Sequence, residues 1–223
     1  MNPLKKYVKN HERLTSLIYR MLHPSRVKIT GRGNIYSAVS CWISNSKITI
    51  SGNDNVVLIK KGWTKMDNCR ITIRGNNNKI QIMSGVHMKN VSLYIEDSNG
   101  EIFIGEKCNL TGMCHIAVTE GTNVFVGEHC LFSQNVSIRT GDSHSIIDNL
   151  SGKRINSAKD VVIGNHVWIG HSVTILKGTI IGDDSVVATG AILTAKEYPS
   201  NSVIGGVGGR ILKQNVTWCS ERI

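Results

Sequence analysis

The chain has 223 residues, enough to bury a core without disulfide staples, and suits one domain of ordinary size or one elongated repeat domain. No apolar run reaches signal-peptide length or the ~20 residues of a membrane span, which points to a soluble cytoplasmic protein. A formal net charge of +10 admits nucleic acid, an anionic membrane surface, or an anionic small molecule or polymer as partner. The charge is not gathered into one run, and no helix-turn-helix, zinc-finger or aromatic RNA-binding pattern occurs, so the reading excludes nucleic acid.

Residues 1–26 form the first unit. Leu14, Leu17, Ile18, Met21 and Leu22 follow helical spacing, Pro24 stops the pattern, and Lys9, Glu12, Arg13 and Arg20 stand opposite the stripe. The helix is expected to cover the open first coil of the repeat that follows. The alternative is a basic amphipathic helix resting on the inner membrane surface.

From Val27 the chain repeats. "VKITGRGN" from Val27, "ITISGNDN" from Ile48 and "ITIRGNNN" from Ile71 are alike, and weaker copies start at Leu93 and Ile116. Ile50, Ile73, Ile95 and Val118 form one apolar column, and Ile59, Ile82, Ile104 and Val126 another. Alternation within each copy means strands with one buried face, and Gly52-Asn53, Gly75-Asn76 and Asn99-Gly100 mark corners. Each copy reads as one coil of a parallel β-solenoid whose core is the stack of inward columns. Cys41, Cys69, Cys108, Cys114, Cys130 and Cys219 form no C-x-x-C pair, and their spacing suggests small buried residues at repeat positions.

Thr140 to Asp160, "TGDSHSIIDNLSGKRINSAKD", breaks the repeat with a polar excursion loop, 140–160. After Asp160 the period sharpens to six, with Ile163, Ile169, Ile175, Ile181, Val187 and Leu193 in one register. Three such hexapeptides make one triangular coil of about 18 residues.

This pattern resembles the hexapeptide-repeat acyltransferases. Within them it is most similar to bacterial capsule and surface-polysaccharide O-acetyltransferases of the sialic-acid type. The resemblance is specific from about Ser137 to Trp218 and general from Val27 to Val136. It implies an all-β fold, a left-handed parallel β-helix over 27–210 with a short N-terminal helix and one long excursion loop. A tail, 211–223, is expected to leave the prism and pack on its side. The resemblance further implies a homotrimer, acetyl-CoA as donor and a carbohydrate acceptor, with an acidic polysaccharide agreeing with the positive charge.

The loop of the family projects toward a neighbouring subunit and carries a catalytic histidine. In "RTGDSHSI" that place falls to His144, with Asp142 two positions before it as one acceptor that could hold the ring. A neutral imidazole can take the proton from a sugar hydroxyl as it attacks the thioester. Trp168, in "NHVWIGH", has a family role at the active site, and its indole N–H could serve the thioester carbonyl or the pantetheine arm. For the donor, the resemblance implies backbone at Gly190 and Ala191 along the pantetheine, with Lys177, Lys196, Arg210 and Lys213 as basic candidates. Many relatives carry Gly-x-Pro-Ala-Lys near "GGVGGR"; Gly208 and Gly209 replace the proline and alanine here, which weakens the contacts at 206–210. The family pattern places no cysteine or serine as a nucleophile, so the resemblance implies direct attack without an acyl-enzyme.

His166 and His171, five apart, with His129 upstream, have the spacing of β-helix metal sites, but Leu176 stands where a further histidine is usual, so no metal is expected. Rival functions are acetylation of a free sugar, an antibiotic or a nucleotide-linked amino sugar, a metal-dependent hydratase, and a non-catalytic scaffold.

Overall fold

A computed structural model describes residues 11–222. Residues 1–10 of the N-terminal unit, Lys9 among them, and the last residue of the tail lie outside the described part. Strands of two to ten residues wind into a parallel β-helix, and every inter-strand pairing is parallel except that of the last strand, Arg210–Gln214.

The coils have three faces. The first carries Trp42–Ser44, Lys65–Asp67, Leu131–Phe132, Trp168–Ile169, Val186–Val187 and Ser202–Gly205. The second carries Arg26–Thr30, Lys47–Ser51, Arg70–Arg74, Ser137–Arg139, Thr174–Ile175 and Ile192–Leu193. The long strands His87–Glu96 and Asn109–Val118 bend from the first face onto the second and join the two into one 15-stranded sheet. The third face is an 8-stranded sheet that includes Val56–Ile59, Asn123–Val126 and Val161–Ile163.

Register follows the apolar columns. Ile48 pairs with Ile71, Ile71 with Leu93 and Leu93 with Ile116, all fully buried. The six hexapeptide positions Ile163, Ile169, Ile175, Ile181, Val187 and Leu193 are buried too, one per face per turn. Slipping a strand by one residue would turn its whole aliphatic row outward, so burial fixes the register. Each inward Ile contributes about 1.5–3 kcal/mol by leaving water. Corners use left-handed backbone. Gly75 has φ 135, and a β-carbon there would stand 1.7 Å from the Asp97 carbonyl oxygen of the next coil, so only glycine fits. At the same corner Asn34, Asn55 and Asn78 form a ladder that satisfies the buried turns.

The N-terminal helix, Glu12–Leu22, differs from expectation in what it faces. It lies beside the strand Trp42–Ser44 and turns its polar side inward. Glu12 Oε1 accepts from the backbone N–H groups of Gly62 and Trp63 (2.9 and 2.8 Å), Tyr19 Oη donates to Ser44 Oγ (3.2 Å), and Arg20 donates to the Ala38 carbonyl. The apolar stripe stays largely exposed, Met21 by 75%; Leu17 and Met21 only border an open cavity with Val27, Tyr36 and Ile43, and the first coil stays exposed at Val27, Ile29 and Ile35. Four bonds to polar groups of the coil outweigh burial of the stripe against it.

The chain after Gln214 folds back along the first face. Val216 N–H donates to the Asn201 carbonyl, and the Trp218 ring stacks on His166 at 4.4 Å.

Candidate active site

The excursion leaves between the second and third faces. Thr140 clamps its stem: its N–H donates to the Ala117 carbonyl, its Oγ1 accepts from Thr119 N–H, and its carbonyl accepts from Lys159 N–H. Residues separated by 18 positions pair between the last coils, as Asn165 and Asp183 do, while pairs that span the excursion, such as Asn123 and Asp160, are 37 apart.

The loop is ordered by its own bonds. Ile147 and Arg154 form an antiparallel bridge, and Asp148 closes the turn onto Ser151 and Gly152. The hub is Asn156, which is buried. Its Nδ2 donates to the His144 carbonyl (2.7 Å) and to Asp142 Oδ2 (2.9 Å), and its Oδ1 accepts from Ile146 N–H (2.7 Å) and Arg154 Nε (3.1 Å). Arg154 in turn holds Glu120. Asn156 was not singled out from the sequence, because it belongs to no repeat and its partners meet only through the hairpin.

His144 is exposed, follows Ser143 in a left-handed conformation (φ 63), and its ring has no partner among the described residues. The backbone is therefore fixed while the imidazole is left free. Asp142 does not hold that ring. Its carboxylate accepts from Lys177 Nζ at 2.5 Å and from Asn156, and the ammonium followed by the amide holds its carboxyl below the usual carboxylate range. Lys177, expected near the donor phosphates, also donates to the Asn156 carbonyl (2.8 Å) and so fastens the loop. The tip exposes Ile146, Ile147, Ile155 and Leu150, the last 98% exposed. Four such side chains on a loop that leaves the prism suit contact with another surface.

Trp168 lies on a different face from the loop stem. It points outward, 39% exposed, and its Nε1 donates weakly to Ser133 Oγ at 3.4 Å. Beside it, His166 Nδ1 bonds Asp184 Oδ1 at 2.8 Å, and Trp218 Nε1 donates to the His166 carbonyl at 2.7 Å. Neither Trp218 nor Asp184 was anticipated, since the tail reaches this face only by doubling back. The structure thus keeps His144 and Trp168 apart within one chain. Among the described residues no three His, Cys, Asp or Glu side chains converge as a metal-ligand set.

The donor candidates gather at the last coils. Gly190 (φ 71) stands at an open corner where an added β-carbon would meet nothing within 4 Å. Ala191 is buried, and its N–H and carbonyl are spent on Ala188 and Thr174. Lys196 Nζ donates to the Gly208 carbonyl at 3.1 Å and braces the glycine turn. Arg210 and Lys213 are exposed on the final strand and carry no ion pair among the described residues. Burial pushes the Cys41 thiol up to about 12 and the Cys69 and Cys114 thiols to about 11, so none of these offers a thiolate near neutrality.

Residues 160–195 match the family model "Bacterial transferase hexapeptide (six repeats)". The chain is 34% identical over 204 residues to the polysialic acid O-acetyltransferase of Neisseria meningitidis, covering 84% of this chain and 86% of that relative. It is 33% identical over 124 residues to the polysialic acid O-acetyltransferase of Escherichia coli O1:K1 / APEC, covering 56% of this chain but only 40% of that protein. The crystal structure of the polySia-specific acetyltransferase NeuO superposes with a TM-score of 0.82 at 29% identity, covering 88% of this chain and 89% of that one. Shared coils, shared length with the Neisseria relative and the six matched repeats place the chain in the hexapeptide-repeat acyltransferase family, where it belongs with the O-acetyltransferases of bacterial surface polysaccharides.

Proposed function

We propose that this chain transfers acetyl from acetyl-CoA to a hydroxyl of an acidic bacterial surface polysaccharide, with His144 as general base. The observation that carries the reading is the His144 peptide, clamped by Asn156 on an outward loop while its ring stays free. The acceptor oxygen attacks the thioester carbonyl carbon as its proton passes to the imidazole. The tetrahedral intermediate then expels the CoA sulfur, which takes the proton from the imidazolium. A positioned base of this kind contributes ~10²–10⁴-fold.

His144 and Trp168 lie on different faces, so a complete site needs two copies, and a homotrimer closes that arrangement. The exposed apolar loop tip supports it. Trp168 then lines the pantetheine channel, with Gly190 as an open wall and Arg210 and Lys213 toward the phosphates. Asp142 and Lys177 act on the loop's position rather than on the ring. Two relatives named for polysialic acid O-acetylation and a charge of +10 support an acidic glycan. Acetyl-CoA as donor favours action in the cytoplasm, where the exposed helix stripe could approach the inner membrane; no helix of the described residues is long and apolar enough to cross a membrane.

The test is thiol release from acetyl-CoA with polysialic acid, neutral polysaccharides, free sugars and nucleotide sugars, using the wild type and His144→Ala. Release with polysialic acid, falling ~10²-fold or more in the variant, is expected. Release only with free or nucleotide-linked sugars, or undiminished in the variant, would overturn the reading.

A further inference from the structure

The first face carries a second cluster in line with Trp168. Trp42 pairs with Lys65, Lys65 with His87, His87 with Asn109, Asn109 with Leu131 and Leu131 with Trp168. The next residue in each strand, from Ile43 to Ile169, is buried in the prism, so the row lies on its outer side, where Lys65, His87 and Trp168 are exposed and Trp42, stacked on Trp63, is only 7% exposed. Five inter-strand steps of ~4.8 Å put the two ends of this row ~24 Å apart.

At the far end lies a cavity of about 360 Å³ lined by Tyr19, Trp42, Trp63, Lys65, Met66 and Asp67. Its parts are held in place. Trp42 and Trp63 stack at 5.0 Å with 21° between their planes, and the Lys65 ammonium sits 5.3 Å from the Trp63 ring centroid. Trp63 occupies a left-handed corner (φ 66) where the next coil has Gly85, and Glu12 fixes that corner through the Gly62 and Trp63 amides. A bulky aromatic is a costly choice for such backbone, and this one is only half-buried, so core packing does not account for it. Lys65 has no carboxylate partner among the described residues, whereas Asp67 is engaged by Ser44 and Asn45. Between this cavity and Trp168 the face exposes Lys89, Lys107 and His129, and the last two line a further cavity with His166 and Trp218.

We propose that the Trp42–Trp63–Lys65 cavity is a distal subsite that binds a carboxylate-bearing sugar unit of the same glycan chain whose hydroxyl is acetylated near Trp168. This rests on the function proposed above and deepens it, since the acceptor must then be an oligomer or polymer spanning ~24 Å. Lys65 supplies a charge-assisted bond to the carboxylate, and its ammonium is pre-positioned by Trp63. The two tryptophans and Tyr19 wall the cavity with apolar surface for the sugar ring. The lysines and the histidine along the face keep the intervening units attached, and simultaneous engagement at both ends raises the effective concentration of acceptor at the reacting end.

The experiment uses size-graded oligomers of polysialic acid with the wild type, Lys65→Gln and Trp63→Ala, in two arms. The first measures KM and kcat. For the wild type, KM is expected to fall at least about tenfold once the oligomer exceeds the span, while Lys65→Gln returns the long-oligomer KM to the short-oligomer value at unchanged kcat. An equal effect of Lys65→Gln on short and long oligomers, or none, overturns the subsite. The second arm measures equilibrium binding of the oligomers without acetyl-CoA, with uncharged glucose oligomers as control. If no oligomer is acetylated, the proposed function fails, and this arm still decides the subsite: length-dependent binding lost in Lys65→Gln supports it, and binding unaffected by the substitution, or absent, refutes it. Lys65→Gln is a surface change, so the outcome does not depend on whether Trp63→Ala folds.

Discussion

Replacing Asn156 by Ala tests how the loop presents its histidine. The substitution removes bonds to the His144 carbonyl and Asp142 and from Ile146 N–H and Arg154 Nε. A net hydrogen bond contributes ~0.5–1.5 kcal/mol, but Asp142 keeps Lys177 and Arg154 keeps Glu120, so the expected loss is about 2 kcal/mol. That loss falls on a segment tied to the prism chiefly at Thr140, Lys159, Lys177 and Glu120. It should open the loop about thirtyfold more often without loosening the coils. Hydrogen exchange reads this at a loop amide whose own acceptor is kept: the Ile155 amide, bonded to the Ile146 carbonyl, should exchange about thirtyfold faster while Ile169 and Ile175 are unchanged, and kcat should fall by about tenfold or more. Asn156→Asp should be worse than Ala, since it sets a second carboxylate against Asp142. Unaltered Ile155 exchange, or equal acceleration in the prism, would refute the hub.

Further predictions concern the anchor and the coils. The carboxyl of Asp142 is held below its ordinary value, so its bond to Lys177 is complete above pH 3.8 and is lost as pH falls through the lowered value. Proteolytic cutting of the loop should therefore stay slow down to that range and rise only below it, whereas Lys177→Ala should be cut readily even at neutral pH. Gly75→Ala should destabilise the chain by about 2 kcal/mol or more, because φ 135 and the Asp97 carbonyl both oppose a β-carbon, and urea midpoints would show it. Ile169→Ala should cost ~2–5 kcal/mol as a buried large-to-small change, with the loss read in the same midpoints.

The coils were legible because stacking imposes a period: Ile50 to Val118 and Ile163 to Leu193 lie at the positions where their columns put them, all buried. The helix was legible as a helix but not in its orientation. Spacing reveals a stripe at Leu14 to Leu22, but it carries no information about Glu12 reaching the amides at 62 and 63, or Tyr19 reaching Ser44, and these bonds decide which side faces inward. The site divided along the same line. His144 and Trp168 could be singled out as candidates because local motifs carry them. Asn156, Arg154 and Trp218 were missed because their partners are brought together by a hairpin and a returning tail. Lys177 was placed near the donor by the family resemblance alone, and its bond to Asp142 could not be read from the sequence because the loop brings that partner to it.

The central claim is that the site is completed between two copies, with the loop of one meeting the Trp168 face of the next. Chains of His144→Ala and Trp168→Ala, each close to inactive alone, should be mixed in equal amounts, unfolded and refolded together, and assayed for acetyl transfer to polysialic acid. If each site takes its loop from one copy and its tryptophan from another, random assembly restores about a quarter of wild-type activity. Activity no greater than the average of the two variants would place both residues in separate sites or in one chain, and would contradict the account.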